Sequence, residues 1–394
     1  MGTPVIQAIL QDGLAAVVAK GRLPFHVANT AILLAACRTG SLGHTIYRCS
    51  ESPLGHEIQY RPNSCGNRFC RTCASTRIEK RIRHESEHFL KADHHQLVLT
   101  LPPELRVFWR LNGKLVGDLL LRSTSTSVIR LLAKDRYMGG RPGIVSFLHT
   151  WNQRMEAHPH VHMLVSSVGL SSRGEVVKAT MEHLLPNDLL SAHWRSTFIN
   201  MLRDALRRHP DDIEFPVGMN VDSLRLLLAT LSKKYWHAHA MPATSSKHSL
   251  KYNVAYSTGG CIGNRRVVKY DGINVLIQAR TPKSRAEKVG PVEHVQLTRD
   301  EFIERLLSHV PAYHQRVIGH YGLYANPATN KKLAALRTQL GMAPVVRTPL
   351  TVRDLMDVFK HSKPSCCASC GSRMVPSERL STGPPTLETI GLAA

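Results

Sequence analysis

His160 and His162 stand two apart in the run His158-Pro159-His160-Val161-His162-Met163-Leu164-Val165. Successive side chains of a strand point to opposite faces, so both imidazoles project from the same face. Two imidazoles side by side can hold one divalent metal if a third side chain, water or phosphate oxygens complete it. His149, Gln153 or a residue of the helix described next are candidates for that third place. Further along, in Tyr252-Asn253-Val254-Ala255-Tyr256, two tyrosines four apart share one face of a helix. A metal that polarises a phosphate beside two phenol hydroxyls could cut and rejoin DNA through phosphotyrosine links.

Two tyrosines at this spacing also suit the apolar stripe of a core helix. The basic setting points instead to catalysis: His248 and Lys251 precede Tyr252 and Tyr256, and Arg265 and Arg266 follow. Such a setting lowers the cost of a phenolate, whose ordinary pKa is about 10. A third group is made of thiols. Cys70-Arg71-Thr72-Cys73 is a C-x-x-C zinc knuckle, and a structural zinc needs four ligands. The others come from among Cys37, His44, Cys49, His56 and Cys65, and we take Cys49, Cys65, Cys70 and Cys73 as the set. Cys367-x-x-Cys370 has no partner pair close by in the chain.

The elements that must position these groups can be read from pattern. Residues 1–36 read as helical, and the cysteine-bearing stretch to Cys73 as loops. A basic helix follows, carrying Arg77, Lys80 and Arg81. Gln96 to Leu101 reads as a strand stopped by Pro102-Pro103. Gly143 to Thr150 and His160 to Val168 read as a hairpin carrying the histidine pair. Helices are expected from Leu115 to Lys134, through Trp194, Phe198 and Leu202, and through Leu224, Leu228 and Leu231. Asp271-Gly272 between two β-branched runs marks a second hairpin. Thr298 with Glu301 marks a helix start. The expected division is 1–90, helical and zinc-binding; 91–285, a nuclease domain; and 286–394, a helical region with a C-x-x-C and a disordered Ser/Pro/Gly-rich tail.

A net charge of +22 over 394 residues, with pI near 9.9, points to a polyanionic partner, and nucleic acid is the commonest. Arg68, Arg77, Lys80, Arg81, Arg265 and Arg266 are the expected DNA-contacting side chains. No apolar run approaches the roughly 20 residues of a spanning helix. Met1 to Asp12 lacks the basic start and cleavage site of a signal peptide. Nine cysteines without a leader argue for metal binding rather than disulfides. The expectation is a cytoplasmic protein, nucleoid-associated when on DNA. No G-x-x-x-x-G-K-[ST] is present, so no nucleotide cofactor is expected.

With these residues in view, the chain resembles the rolling-circle insertion-sequence transposases of the IS91 family, within the HUH endonuclease superfamily. Cys37-Arg38-Thr39-Gly40, Asn63-Ser64-Cys65-Gly66-Asn67-Arg68 and Cys70-x-x-Cys73 resemble the family's zinc-binding domain. His149-Thr150-Trp151-Asn152-Gln153 with His158-Pro159-His160-Val161-His162 is similar to its metal region, and Tyr252-x-x-x-Tyr256 with Ile262-Gly263-Asn264-Arg265-Arg266 to its nucleophile region. His320-Tyr321-Gly322-Leu323 is similar to its C-terminal signature.

The resemblance implies an α+β fold, an antiparallel sheet with flanking helices, preceded by a small zinc-binding domain. It implies Mg²⁺ or Mn²⁺ at His160 and His162 and structural Zn²⁺ at the cysteines. It implies nicking and rejoining of single-stranded or hairpin ends of the element through 5′-phosphotyrosine intermediates on Tyr252 and Tyr256. Ser52 stands where the family carries a cysteine, which leaves one zinc ligand to be replaced, with His56 a candidate. Two rivals share parts of this pattern: a replication initiator or relaxase with the same chemistry, and a non-catalytic zinc-ribbon DNA-binding protein.

Overall fold

The computed structural model describes residues 3–21, 23–244, 246–281, 290–326, 330–345, 351, 354, 366–383 and 386–388. Helices α1 (Val5–Ala19) and α2 (Phe25–Ala35) each begin after a proline, Pro4 and Pro24, which lacks the N–H that a helix start leaves unpaired. Strands β1 (His44–Cys49) and β2 (Ile58–Pro62) precede the basic helix α3 (Arg71–His88) and strand β3 (His94–Thr100). Helices α4 (Arg106–Leu111) and α5 (Gly113–Leu132) lead into β4 (Arg141–Trp151), β5 (Ala157–Leu170) and the short β6 (Val176–Lys178). Then come α6 (Asn187–Arg208), α7 (Val221–Leu231), β7 (Ala238–Thr244) and α8 (Ser246–Thr258). The remainder runs β8 (Val267–Tyr270), β9 (Asn274–Arg280), β10 (Val292–Thr298), α9 (Arg299–Leu307), β11 (Ile318–Gly322), α10 (Lys331–Gln339) and β12 (Met374–Leu380).

The architecture is α+β with antiparallel sheets, as the resemblance implied. The central sheet has the order β11-β4-β5-β3-β7, with β6 paired to β5. Alternation along β5 divides its side chains between two cores. Val161, Met163 and Val165 face α5 and α6, packing with Leu120, Leu131, Trp194 and Phe198. Leu164, with Val145 and Phe147 of β4, faces the opposite way, toward Ile82 of α3, Leu250 and Val254 of α8 and Leu333 of α10. His160 and His162 share the parity of Leu164, so the histidines and the tyrosine helix lie on the same face. Each of these fully buried apolar side chains contributes about 2–5 kcal/mol on truncation to Ala.

The β4–β5 hairpin closes over residues 152–156, where the Met155 N–H donates to the Asn152 carbonyl at 3.1 Å and Met155 adopts φ 61°. A second antiparallel sheet, β10-β9-β8, packs against α1 and α9 through Ile9, Leu10, Leu14, Ile277, Phe302 and Ile303. Gly272 takes φ 93° in the β8–β9 turn, a left-handed conformation that favours glycine. Thr298 caps α9, its hydroxyl accepting from the Glu301 N–H at 3.2 Å.

Packing contacts cross the expected divisions at 90 and 285. The N-terminal helix α1 packs its apolar face on α2 and shares its core with Val275, Ile277, Leu297 and Phe302 of the later chain. The region after 285 is not simply helical: β11 forms an edge of the central sheet, and β10 completes the second sheet. The tail is not wholly disordered either, since Met374–Leu380 forms β12 and pairs with β1, His44 opposite Leu380 and Cys49 opposite Met374. The rest of the expected disordered tail, 384–385 and 389–394, lies outside the described residues. Among the described residues no helix is long and apolar enough to cross a membrane.

Candidate functional site

The β4–β5 register sets His149 directly opposite His160, with His162 two residues further on the same face. One ring nitrogen from each of the three lies within 4.8 Å of the others. His149 thus lies with His160 and His162, while Gln153 sits in the turn between β4 and β5. Burial and the neighbouring imidazoles hold His149 and His160 well below the ordinary histidine pKa, and burial brings His162 down to about 4. Neutral imidazoles keep a lone pair free, which is what a metal requires.

Hydrogen bonds choose which nitrogen carries it. His160 Nδ1 lies 2.6 Å from the His158 carbonyl and can only donate to it, which leaves Nε2 free. Ser257 Oγ donates to the Asn253 carbonyl at 2.8 Å, so at 3.0 Å it accepts from His149 Nε2, leaving Nδ1 free. His162 Nδ1 lies 3.1 Å from the Gln96 side-chain amide. Ligation through Nε2 requires Nδ1 to carry the proton, with the Gln96 oxygen turned to accept it. Ser257 and Gln96 are site residues that sequence reasoning missed. The donor set, three neutral imidazoles converging on one point, fits a divalent transition ion better than one that prefers only oxygen ligands.

Tyr256 packs against this cluster, its ring centroid 4.3 Å from that of His149 and 5.0 Å from that of Trp151. Tyr252 stacks on Tyr256 at 5.8 Å and is 53% exposed. The structure thus brings the histidines and both tyrosines together on one face. The expectation of an eased phenolate does not hold: burial raises both phenols above their ordinary value, Tyr256 the more strongly. The nearby Arg266 acts the other way on Tyr256 and is outweighed.

The cysteines divide differently from the expected set. Cys37, Cys65, Cys70 and Cys73 converge, with Sγ···Sγ distances of 3.6 Å for Cys37–Cys73 and Cys65–Cys73 and 3.8 Å for Cys37–Cys70. Four sulfurs about 2.3 Å from a zinc at tetrahedral angles lie about 3.8 Å apart, so the quartet fits that ion. All are free thiols. Donation from neighbouring thiols lowers Cys70 to about 6, and the same sharing pushes Cys65 far up, so four thiolates together need a cation. Cys49 is not in this set. It ends β1 and lies instead with His56, Cys367 and Cys370, because pairing with β12 carries it to the C-terminal knuckle.

The expected DNA-contacting side chains also divide. Arg77 and Lys80 on α3 and Arg265 are exposed. Arg81 pairs with the buried Glu85 at 2.7 Å. Arg68 and Arg266 are turned inward and do not offer a free surface. Arg68 donates to the Ser257 carbonyl at 2.5 Å, and Arg266 donates to the carbonyls of Gln153 and Gln278. Each satisfies backbone carbonyls that folding would otherwise leave unpaired.

The chain matches the family described as "Transposase zinc-binding domain" over residues 9–101 and the family described as "Putative transposase" over residues 143–332. It is 29% identical over 363 residues to "Putative transposase y4qJ" of Sinorhizobium fredii, covering 89% of each chain. It is 28% identical over 356 residues to "Transposase for insertion sequence element IS801" of Pseudomonas savastanoi pv. phaseolicola, covering 88% of this chain and 82% of the other. No solved structure matches the chain. These matches place it among the transposases. It belongs to the IS91 family and carries that family's N-terminal zinc-binding domain.

Proposed function

We propose that this transposase nicks and rejoins single-stranded DNA at the ends of its element through 5′-phosphotyrosine intermediates, with a divalent ion, Mn²⁺ or Mg²⁺, at His149, His160 and His162. The observation that carries the reading is His149, whose ring lies 4.5 Å from that of His162 and 4.3 Å from that of Tyr256. A divalent ion held there would draw charge off the scissile phosphate and orient it.

Tyr256, nearer the histidines, makes the first attack. Its phenol loses a proton to solvent, its oxygen bonds to phosphorus, and the bond to the 3′-oxygen breaks. That oxygen takes up a proton and leaves as a free 3′-hydroxyl, while the 5′-phosphate stays on tyrosine. The energy of the phosphodiester is kept in the new ester, so rejoining needs no nucleotide. Tyr252, more exposed and stacked on Tyr256, serves the second cleavage or strand transfer. Ser257 and the His158 carbonyl hold His149 and His160 in the ligating tautomers. Arg77 and Lys80 project from α3, which packs against α8, and there they would hold the phosphates of a single-stranded or hairpin end.

The test is incubation of the protein with labelled single-stranded element ends and Mn²⁺, followed by denaturing electrophoresis and peptide mapping. The adduct should fall on the peptide holding Lys251 to Tyr256. An adduct on Tyr270, Tyr313 or Tyr321 would overturn the assignment. Cleavage without any adduct would overturn the mechanism.

A further inference from the structure

The sheet β12-β1-β2 has almost no core of its own. Among the described residues its buried cluster is Cys49, Cys367 and Met374, with Tyr47 packed against it. So small an apolar cluster does not offset the chain entropy of ordering three strands, and natural domains of this kind rely on a staple. The residues at its end supply one. Cys49, His56, Cys367 and Cys370 place one ligand atom each within 4.8 Å of one another, and Cys49 Sγ lies 3.4 Å from Cys370 Sγ.

Two further details match a metal knuckle. The Cys367–Cys370 turn is closed by the Gly371 N–H donating to the Cys367 carbonyl at 2.9 Å. His56 Nδ1 is shut off from solvent with no hydrogen-bond partner, an expense that a bound ion removes. Ser52 stands at the second ligand position of the Cys49 knuckle. One ring nitrogen of His56 lies within 4.8 Å of the three thiols.

We propose that Cys49, His56, Cys367 and Cys370 form a second zinc site, separate from the Cys37, Cys65, Cys70, Cys73 quartet, that clasps the C-terminal segment onto the N-terminal zinc-binding domain. Three thiolates and one imidazole are a ligand set that zinc takes in tetrahedral structural sites. Binding releases the thiol protons, so the clasp tightens as pH rises.

The test uses the full chain carrying His160→Ala and His162→Ala, which silences the histidine cluster. Elemental analysis of protein purified without chelators should give two zinc ions per chain, one for each cysteine cluster. Cys367→Ser with Cys370→Ser should lower this to one. One zinc in the parent chain, or two in that variant, would overturn the proposal. X-ray absorption at the zinc edge of the parent chain provides a check that needs no cysteine change. Seven cysteines and one histidine make up the two sites, so the average shell should hold sulfur with a minor nitrogen component. A pure sulfur shell would remove His56. His56→Cys should retain two ions and lose the nitrogen signal, whereas His56→Ala should lose one ion to a chelator at least tenfold faster. Retention by His56→Ala as firm as in the parent would also count against the site, as would a mapped Cys49–Cys370 disulfide in the freshly purified protein.

Discussion

Ser257→Ala tests whether the helix that carries the tyrosines also sets the metal ligand. Ser257 is buried, accepts from His149 Nε2 at 3.0 Å and donates to the Asn253 carbonyl at 2.8 Å. Without the hydroxyl, His149 has no reason to keep its proton on Nε2, and the tautomer with Nδ1 protonated cannot ligate. Loss of an outer partner of this kind lowers metal affinity about 10–100-fold, or about 1.4–2.7 kcal/mol. The buried N–H left without an acceptor costs the fold about 1–3 kcal/mol as well. Isothermal titration with Mn²⁺ reads the first quantity and urea unfolding of the metal-free protein the second. Ser257→Thr keeps the hydroxyl while adding a methyl, so it should weaken the fold yet hold Mn²⁺ close to the wild-type affinity. An Mn²⁺ affinity unchanged within twofold in Ser257→Ala would refute the reasoning. Equal weakening in the Thr variant would assign the effect to packing alone.

Tyr256→Phe keeps ring volume and its stacking on Trp151, so unfolding should shift by less than about 1.5 kcal/mol while covalent adduct formation is lost, as read on a denaturing gel. Tyr252→Phe should leave the first nick and stop strand transfer, measured with paired labelled ends. His149→Ala should abolish nicking and leave filter binding of DNA within a few-fold of wild type; retained Mn²⁺-dependent nicking would return the third ligand to Gln153 or water. Acid stability follows from His94 and His309, which burial holds down to about 3 and about 4. Both bind protons more readily unfolded, so their contribution is complete above about pH 6.5 and is lost as pH falls toward 4, at about 2.7 kcal/mol per pH unit for the two together. Unfolding free energies from urea titrations of the metal-free protein between pH 7 and 4 should fall at least this steeply, since the buried His149, His160 and His162 add to the slope, and His94→Gln should reduce it by about 1.4 kcal/mol per pH unit.

The histidine hairpin was legible because its signal is local. Strand alternation fixes the face of His160 and His162, and the apolar run that follows them fixes its burial. The spacing of Tyr252 and Tyr256 is likewise a property of one helix. His149 remained among several options, since it meets His160 through strand register, which is set by the turn at 152–156 rather than by either strand alone. The cysteines show the limit most plainly. A C-x-x-C pair announces two ligands but says nothing of where the others come from: proximity in the chain points Cys49 to Cys65, Cys70 and Cys73, and β12 draws it elsewhere. Arg68 and Arg266 carry the same charge as Arg77 and Arg265, but they reach carbonyls of distant segments, Ser257 and Gln153, and are part-buried, whereas Arg77 donates to the nearby Gly66 carbonyl and stays exposed. Ser257 and Gln96 gave no signal at all, because a serine in a helix and a glutamine in a strand are ordinary until their neighbours are known.

The pairing of β12 with β1 sets an order of events during synthesis. At about 5–20 residues per second, the ribosome releases β1 long before β12, and for that interval β1 has a partner only in β2. Its other edge is bare, with backbone N–H and carbonyl groups open to any strand that arrives first. The N-terminal sheet is therefore finished only once β12 has been made, and long-range closure of this kind is slow. A copy stopped before Met374 would keep every histidine and tyrosine of the site and still leave that edge open. Such truncated products should be recovered mainly as aggregates, and a short peptide carrying the β12 sequence, supplied while they fold, should raise their soluble yield.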